Sequence, residues 1–424
     1  MTPEISAPID VGSGLDSRPT SRTRLPRFEQ LDPLQPNALV RWAFYLSVFA
    51  IPFTRIYLPG TGDRIGVARL VQALILCAVV SQPRVCIRLA PIALLWFLAY
   101  SLMRISSGFW FTPGQFESWW PNTLIWLQYS LPWAWVMFNV LQFSNMARHG
   151  LWALVGGCSL CALFHLAGIG VADVGQGVHG RSAVFGENAN VLGATYAITA
   201  IVLIGLGMRS GVALRQRFLV FALLTIVGAG LAKTGSRTAV LMLGMGILVL
   251  LFQGRSFGTR TKRVASVMLV GVVLATILWQ IPGVLKRFEE LDSANAQEQE
   301  GRVRMIPVLW DIFLRSPICG LGPDGYQVEL TRRAMPHLIG QQRLISAHNL
   351  ALMLLVETGV IGFLLFSAGI MAALKSAWRA RFAPGGSLPM ALILPLVIAA
   401  LIVSNPAHHL VFWFAVAYAL AGTA

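Results

Sequence analysis

Apolar stretches of about 16–25 residues recur along the chain near 38–58, 66–82, 88–107, 123–143, 150–172, 189–208, 217–233, 237–253, 264–283, 349–374, 388–404 and 408–422, separated by polar or basic connections. A helix rises about 1.5 Å per residue, so stretches of this length match the roughly 30 Å of bilayer hydrocarbon. The pattern predicts an all-α integral membrane protein of about twelve transmembrane helices. The stretches at 66–82 and 237–253 carry the weakest signal, the first being short and the second following its predecessor after a tight turn.

Residues 1–37, rich in Pro, Ser, Thr and Arg and lacking an apolar run, read as a disordered tail and not as a cleaved leader. Residues 38–283 hold spans 1–9, residues 284–348 form a large loop subdomain, and residues 349–424 hold spans 10–12. Within the loop a polar stretch, EELDSANAQEQEG, gives way to Met305, Ile306, Leu309, Ile312 and Phe313. Their three- and four-residue spacing predicts a helix with one apolar face, lying on the membrane surface or packed on the bundle. Pro317 and the GLGPDG run from Gly320 to Gly325 end it in a tight turn.

Composition agrees. The chain is 56% hydrophobic and 12% charged, about half the charge of a soluble domain, which excludes soluble enzymes and disordered proteins together. The net charge of +15 is spread between apolar blocks instead of forming one basic stripe, so no nucleic acid partner is implied. It reads as topology: with the tail inside, 18 basic residues fall in inner segments against 7 in short outer loops. Both termini are then cytoplasmic and the 284–348 loop lies outside. All but four of the 33 basic residues are arginine, through codon bias or through a need for forked donors to anionic oxygens. Of the five cysteines, Cys158 and Cys161 form a CxxC inside an apolar run, where packing explains them better than a metal. No metal or other cofactor is called for.

The inner loops carry no phosphate loop, dinucleotide fingerprint or acidic pair, and the candidate groups gather outside. Arg181 sits in a Gly-rich loop with Asn188 and Asn190. Ser236 and Arg237 open the 237–253 span, where snorkelling to the surface would also account for the arginine. Arg302 and Arg304 lie in the large loop, and His179, His408 and His409 are further outer histidines. Ser346-Ala347-His348-Asn349 opens the tenth span. A histidine there either caps a helix at the interface or, titrating near neutrality, removes a proton from a hydroxyl. Convergent arginines would clamp a pyrophosphate, a convergence that spacing does not reveal. Glu357 and His165, inside spans, read as paired or hydrogen-bonded core groups, with proton movement the alternative for Glu357.

The run from His348 and Asn349 to Gly359 and Gly362 fits H-N-x9-G-x-x-G and resembles the signature of the bacterial O-antigen ligase family. Gly301-Arg302, Pro317 with the GLGPDG turn, Ser236-Arg237, and Arg181 with Asn188 and Asn190 fit the same resemblance, which covers roughly residues 180–362. It implies a glycosyltransferase type C-like fold in the bacterial inner membrane, multi-pass, with the active site facing the periplasm. The implied reaction moves O-antigen polysaccharide from undecaprenyl pyrophosphate to the lipid A-core oligosaccharide, metal-independent and inverting. On that resemblance His348 is the catalytic residue, and Arg181, Arg237, Arg302 and Arg304 bind the pyrophosphate. Asn188, Asn190, Ser236 and Asn349 are secondary site residues. The partners implied are the lipid-linked donor, the lipid A-core acceptor and the bilayer. A polymerase of the same superfamily and a non-enzymatic transporter of lipid-linked glycan remain the alternatives.

Overall fold

The computed structural model describes residues 35–57, 66–111, 120, 123, 130–173, 182–208, 212–252, 305–334, 349–381, 386–402 and 409–422. Residues 36–424 form one compact unit. Among the described residues the helices are, in chain order, α1 (Ala38–Phe49), α2 (Val67–Ser81), α3 (Pro83–Cys86), α4 (Ile92–Phe111), α5 (Leu131–Leu141), α6 (Ser144–Ala167), α7 (Ala189–Gly207), α8 (Leu214–Thr234), α9 (Arg237–Phe252), α10 (305–315), α11 (Gly325–Ala334), α12 (Leu350–Ala380), α13 (Leu388–Ile402) and α14 (Leu410–Ala421).

Among the described residues, five helices, within α4, α6, α7, α8 and α12, are long and apolar enough to cross a membrane. With shorter apolar helices in α1, α2, α5, α9, α13 and α14, they make a multi-pass membrane protein. Eleven of the twelve expected stretches therefore carry an apolar helix, six of them too short to count as a span by themselves; the stretch at 264–283 lies outside the described residues. Departing from a purely helical expectation, β1 (Val171–Asp173) and β2 (Ser182–Val184) pair antiparallel, Val171 opposite Val184 and Asp173 opposite Ser182.

The hydrophobic core runs through the bundle, with Trp413, Tyr100, Tyr196, Phe97 and Phe44 among its fully buried side chains. Cys158 and Cys161 are buried free thiols within it. His165 is also buried, its Nε2 2.7 Å from Ser182 Oγ. The helix expected in the large loop is α10. It docks through Leu309, Ile312 and Phe313, whereas Ile306 points outward with Trp310 and Leu314.

Helix polarity sets up one end of the bundle. Gly193, near the start of α7, packs against Ser236 and Ala239 at the start of α9, and Gly205, near the end of α7, meets Leu388 at the start of α13. Asn190 and His409 line one cleft, which places the start of α14 beside the start of α7. Gly422 after α14 touches Ala380 at the end of α12. Consequently α7, α9, α12 and α14 all begin at the same end, where their unpaired N–H groups and dipoles favour anions.

Candidate functional site

At that end the chain turns sharply between α8 and α9. Gly235, in the left-handed region at φ 60°, closes α8 and lets Ser236 start α9 directly. Ser236 is 2% exposed, and its Oγ accepts from Ala239 N–H at 3.4 Å. Arg237, next to it, is exposed. Asn188 caps α7, its Oδ1 accepting from Asn190 N–H at 2.9 Å, and Asn349 caps α12, its Oδ1 accepting from Leu352 N–H at 3.0 Å. Three of the four secondary residues thus have a capping acceptor role, a duty that sequence spacing left undistinguished from ligand contact. His348, Arg181, Arg302 and Arg304 lie outside the described residues.

The short β-hairpin is tied to the same end. Ser182, which follows Arg181 in sequence, donates from Oγ to the Lys233 carbonyl at 3.2 Å. Lys233 Nζ in turn donates to the His165 carbonyl at 2.8 Å, closing the last turn of α6. A small cleft of about 30 Å³ opens between α7, α9, α13 and α14, with Asn190, Thr238 and His409 as its polar lining.

Glu187 stands just before the α7 cap and is 7% exposed. Its Oε1 accepts from Asn188 N–H at 3.0 Å. Burial pushes its carboxyl above the usual range, opposed by that hydrogen bond and by the charge of Arg55. Nothing in the sequence around Glu187 marks it out from the rest of its loop.

Below the start of α12 the signature residues show why their types are required. Gly359 interrupts α12 at φ 65°, ψ −168°, a conformation almost confined to glycine. Into this break the GLGPDG turn inserts its backbone: Leu321 N–H donates to Val356 O at 2.8 Å, Gly322 N–H to Glu357 O at 2.9 Å, and Val360 N–H to Pro317 O at 2.8 Å. The turn thereby satisfies backbone groups that the broken helix leaves unpaired inside the bundle. A Cβ on Gly359 would come within 2.1 Å of Ile318 O, and one on Gly320 within 2.4 Å of Glu357 backbone atoms. The two glycine motifs, far apart in sequence, are one packing unit.

Arg104, from inside α4, completes that unit. Its Nη1 donates to Glu357 Oε2 at 2.8 Å, and Nη2 lies 3.9 Å from Asp324 Oδ1. Asp324 N–H approaches Glu357 Oε1 at 3.3 Å, with Asp324 itself at φ 58°. The pairing expected of Glu357 is thus found. Asp324, of little note in sequence, is a working part of it. The signal that would have found Arg104 is a lone charge within a predicted span.

On the large loop, Glu329 accepts from Arg333 Nε at 2.7 Å and pairs with Arg332 Nη2 at 2.5 Å. Arg333 also bonds Asp311, fastening α11 to α10. Although partial burial works the other way, the Arg332 and Arg333 hydrogen bonds hold the Glu329 carboxyl below its usual range. Among the described residues, no group of three or more His, Cys, Asp or Glu side chains is placed to hold a metal ion.

Residues 218–367 match the O-antigen ligase family model. The match begins in α8, takes in Ser236, Arg237, Arg302, Arg304, His348 and Asn349, and ends inside α12 beyond the Gly359 break. Arg104, Arg181, Glu187, Asn188 and Asn190 lie before it in sequence. No curated protein matches the chain.

Proposed function

The chain carries an O-antigen ligase family region over residues 218–367, and from that premise we propose that it is a membrane glycosyltransferase that moves O-antigen polysaccharide from undecaprenyl pyrophosphate to the lipid A-core oligosaccharide on the periplasmic side of the inner membrane. The observation that carries this reading is that the matched region holds both halves of one packing unit, the GLGPDG turn and the broken α12 helix that His348 precedes. A rigid seat so close to the start of α12 suits a residue whose position must be held against two substrates.

In this mechanism the acceptor hydroxyl gives its proton to the His348 imidazole as its oxygen attacks the anomeric carbon of the donor sugar. The bond from that carbon to the pyrophosphate oxygen breaks, and the electron pair leaves with undecaprenyl pyrophosphate. Attack opposite the leaving group inverts the anomeric centre. Arg181, Arg237, Arg302 and Arg304 offer forked donors to the departing charge, which is spread over phosphate oxygens and needs them when no metal is present. The helix N-termini gathered at this end add favourable potential.

The test is genetic and chemical. A strain deleted for the gene should accumulate lipid-linked polymer while its lipid A-core lacks O-antigen. Shortened polymer on an otherwise capped core would point instead to a polymerase, and lipid-linked polymer trapped on the cytoplasmic leaflet to a transporter.

A further inference from the structure

The large-loop helix α10 divides its surface into three arcs, because successive residues turn by about 100° around an α-helix. Leu309, Ile312 and Phe313 occupy the first and are buried against the bundle. Asp311 and Arg315 occupy the second, where Asp311 bonds Arg333 and Arg315 lies 3.6 Å from Glu329, so that side belongs to α11 and to water. The third arc is apolar and open. Ile306, Trp310 and Leu314 follow one another at four-residue spacing and are 46%, 48% and 57% exposed, and Ile318, just past the helix, extends the row at 64%. A contiguous apolar row of this size marks a surface that something covers.

What covers it follows from where the row leads. Val360 N–H donates to Pro317 O at 2.8 Å and Ile361 N–H approaches Ile318 O at 3.4 Å, so the row runs onto α12. There Val360, Ile361 and Leu364 are exposed in turn, on a helix long and apolar enough to cross a membrane. Such a face meets lipid. The height of the junction fits as well. Lys375 is an exposed charge toward the far end of α12. About 20 residues, the roughly 30 Å of bilayer hydrocarbon, separate it from the turn just before the Gly359 break. The junction with α10 therefore stands at the margin of the hydrocarbon, the depth at which amphipathic helices lie and tryptophan side chains collect.

We infer that α10 is an interfacial helix whose Ile306, Trp310 and Leu314 face is seated among the lipids of the leaflet at the end where α12 begins, its opposite face remaining docked on the bundle. The membrane surface and the bundle, alternative resting places in the sequence, are met by different arcs of one helix. Because α10 runs into the GLGPDG turn and is fastened to α11 through Arg333 and Asp311, this contact fixes the height of the loop over the membrane.

Single spin labels on a cysteine-free full-length chain in phosphatidylcholine nanodiscs test this by collision with oxygen, which concentrates in hydrocarbon, and with a water-soluble nickel chelate. A label at Leu314→Cys should give an oxygen-to-nickel collision ratio several-fold above that at Arg315→Cys, one residue on but in the polar arc, and close to that at Leu364→Cys on α12. A Leu314 label dominated by nickel collisions lies in water and overturns the inference. A Leu314 label that neither reagent reaches is covered by protein, whether another segment of the chain or a second copy, and overturns it equally. A chain that keeps all five cysteines and carries benzoylphenylalanine at position 310 supplies an independent reading. Irradiation should attach phospholipid to it; a crosslink to protein, or none, would contradict the seating of this face in the bilayer.

Discussion

Arg104 and Glu357, 253 residues apart in sequence, meet through a 2.8 Å hydrogen bond with both side chains buried. The bond joins α4 to α12 at the level where the GLGPDG turn enters, and Asp324 of that turn faces the same guanidinium. One cation thus holds together a helix that precedes the family-matched region and two motifs inside it. An arginine alone in the apolar interior would be costly, and each carboxylate without it equally so.

Removing one partner should therefore cost more than removing both. Glu357→Ala or Arg104→Met leaves a buried charge facing reduced compensation, for which about 3–5 kcal/mol is the usual loss. The double variant Arg104→Met, Glu357→Leu should recover much of it. Thermal unfolding in detergent measures this; single variants as stable as wild type would show that the pair is not a structural joint.

Gly359→Ala and Gly320→Ala should both fail to give a stable fold, since each Cβ would overlap backbone across the joint and each glycine has a positive φ. Gly244→Ala, in α9 with nothing within 4 Å of the added methyl, is expected to be neutral or stabilising by up to about 1 kcal/mol. Folded yield after solubilisation compares the three. A well-folded Gly359→Ala protein would refute the seat on which the turn rests.

Glu187 has a folded-state pKa above its unfolded value, so its protonated form is the one the fold prefers. Its contribution to stability is present in full below the unfolded value, about 4.3, and is lost as pH rises through the folded one. Glu187→Gln keeps the acceptor for Asn188 N–H and removes the charge. The variant should melt higher than wild type at pH 8, with the difference closing toward pH 4. A melting difference independent of pH would show that burial does not govern this carboxylate.

In a cysteine-free background, Asn295→Cys should react with a membrane-impermeant maleimide in intact spheroplasts, because residues 284–348 are read as periplasmic from the distribution of basic residues. Labelling only after lysis would invert the topology and remove the proposed site from the side where the substrates meet.

How much could be seen without coordinates depended on range. The apolar stretches that fall within the described residues and the α10 helix follow from local periodicity and appear as helices, whereas the capping duty of Asn188, Ser236 and Asn349 emerges only with the helix starts in place. The joint between Gly320 and Gly359 and the partner of Glu357 are contacts between distant segments. Hydrophobic spacing carries no information on which helices are neighbours. The β-hairpin was missed for another reason, its strands being three residues each inside a Gly-rich loop with no alternation long enough to read.

The central claim is that His348 takes the acceptor's proton, and the measurement that meets it most directly is sugar transfer by the purified His348→Ala protein in proteoliposomes, with donor binding measured alongside. General-base removal contributes about 10²–10⁴-fold, so transfer should fall by that factor while donor affinity and melting temperature stay those of wild type. Transfer near the wild-type rate with donor bound normally would contradict the account, and loss of donor binding in place of turnover would move His348 from proton acceptor to pyrophosphate contact.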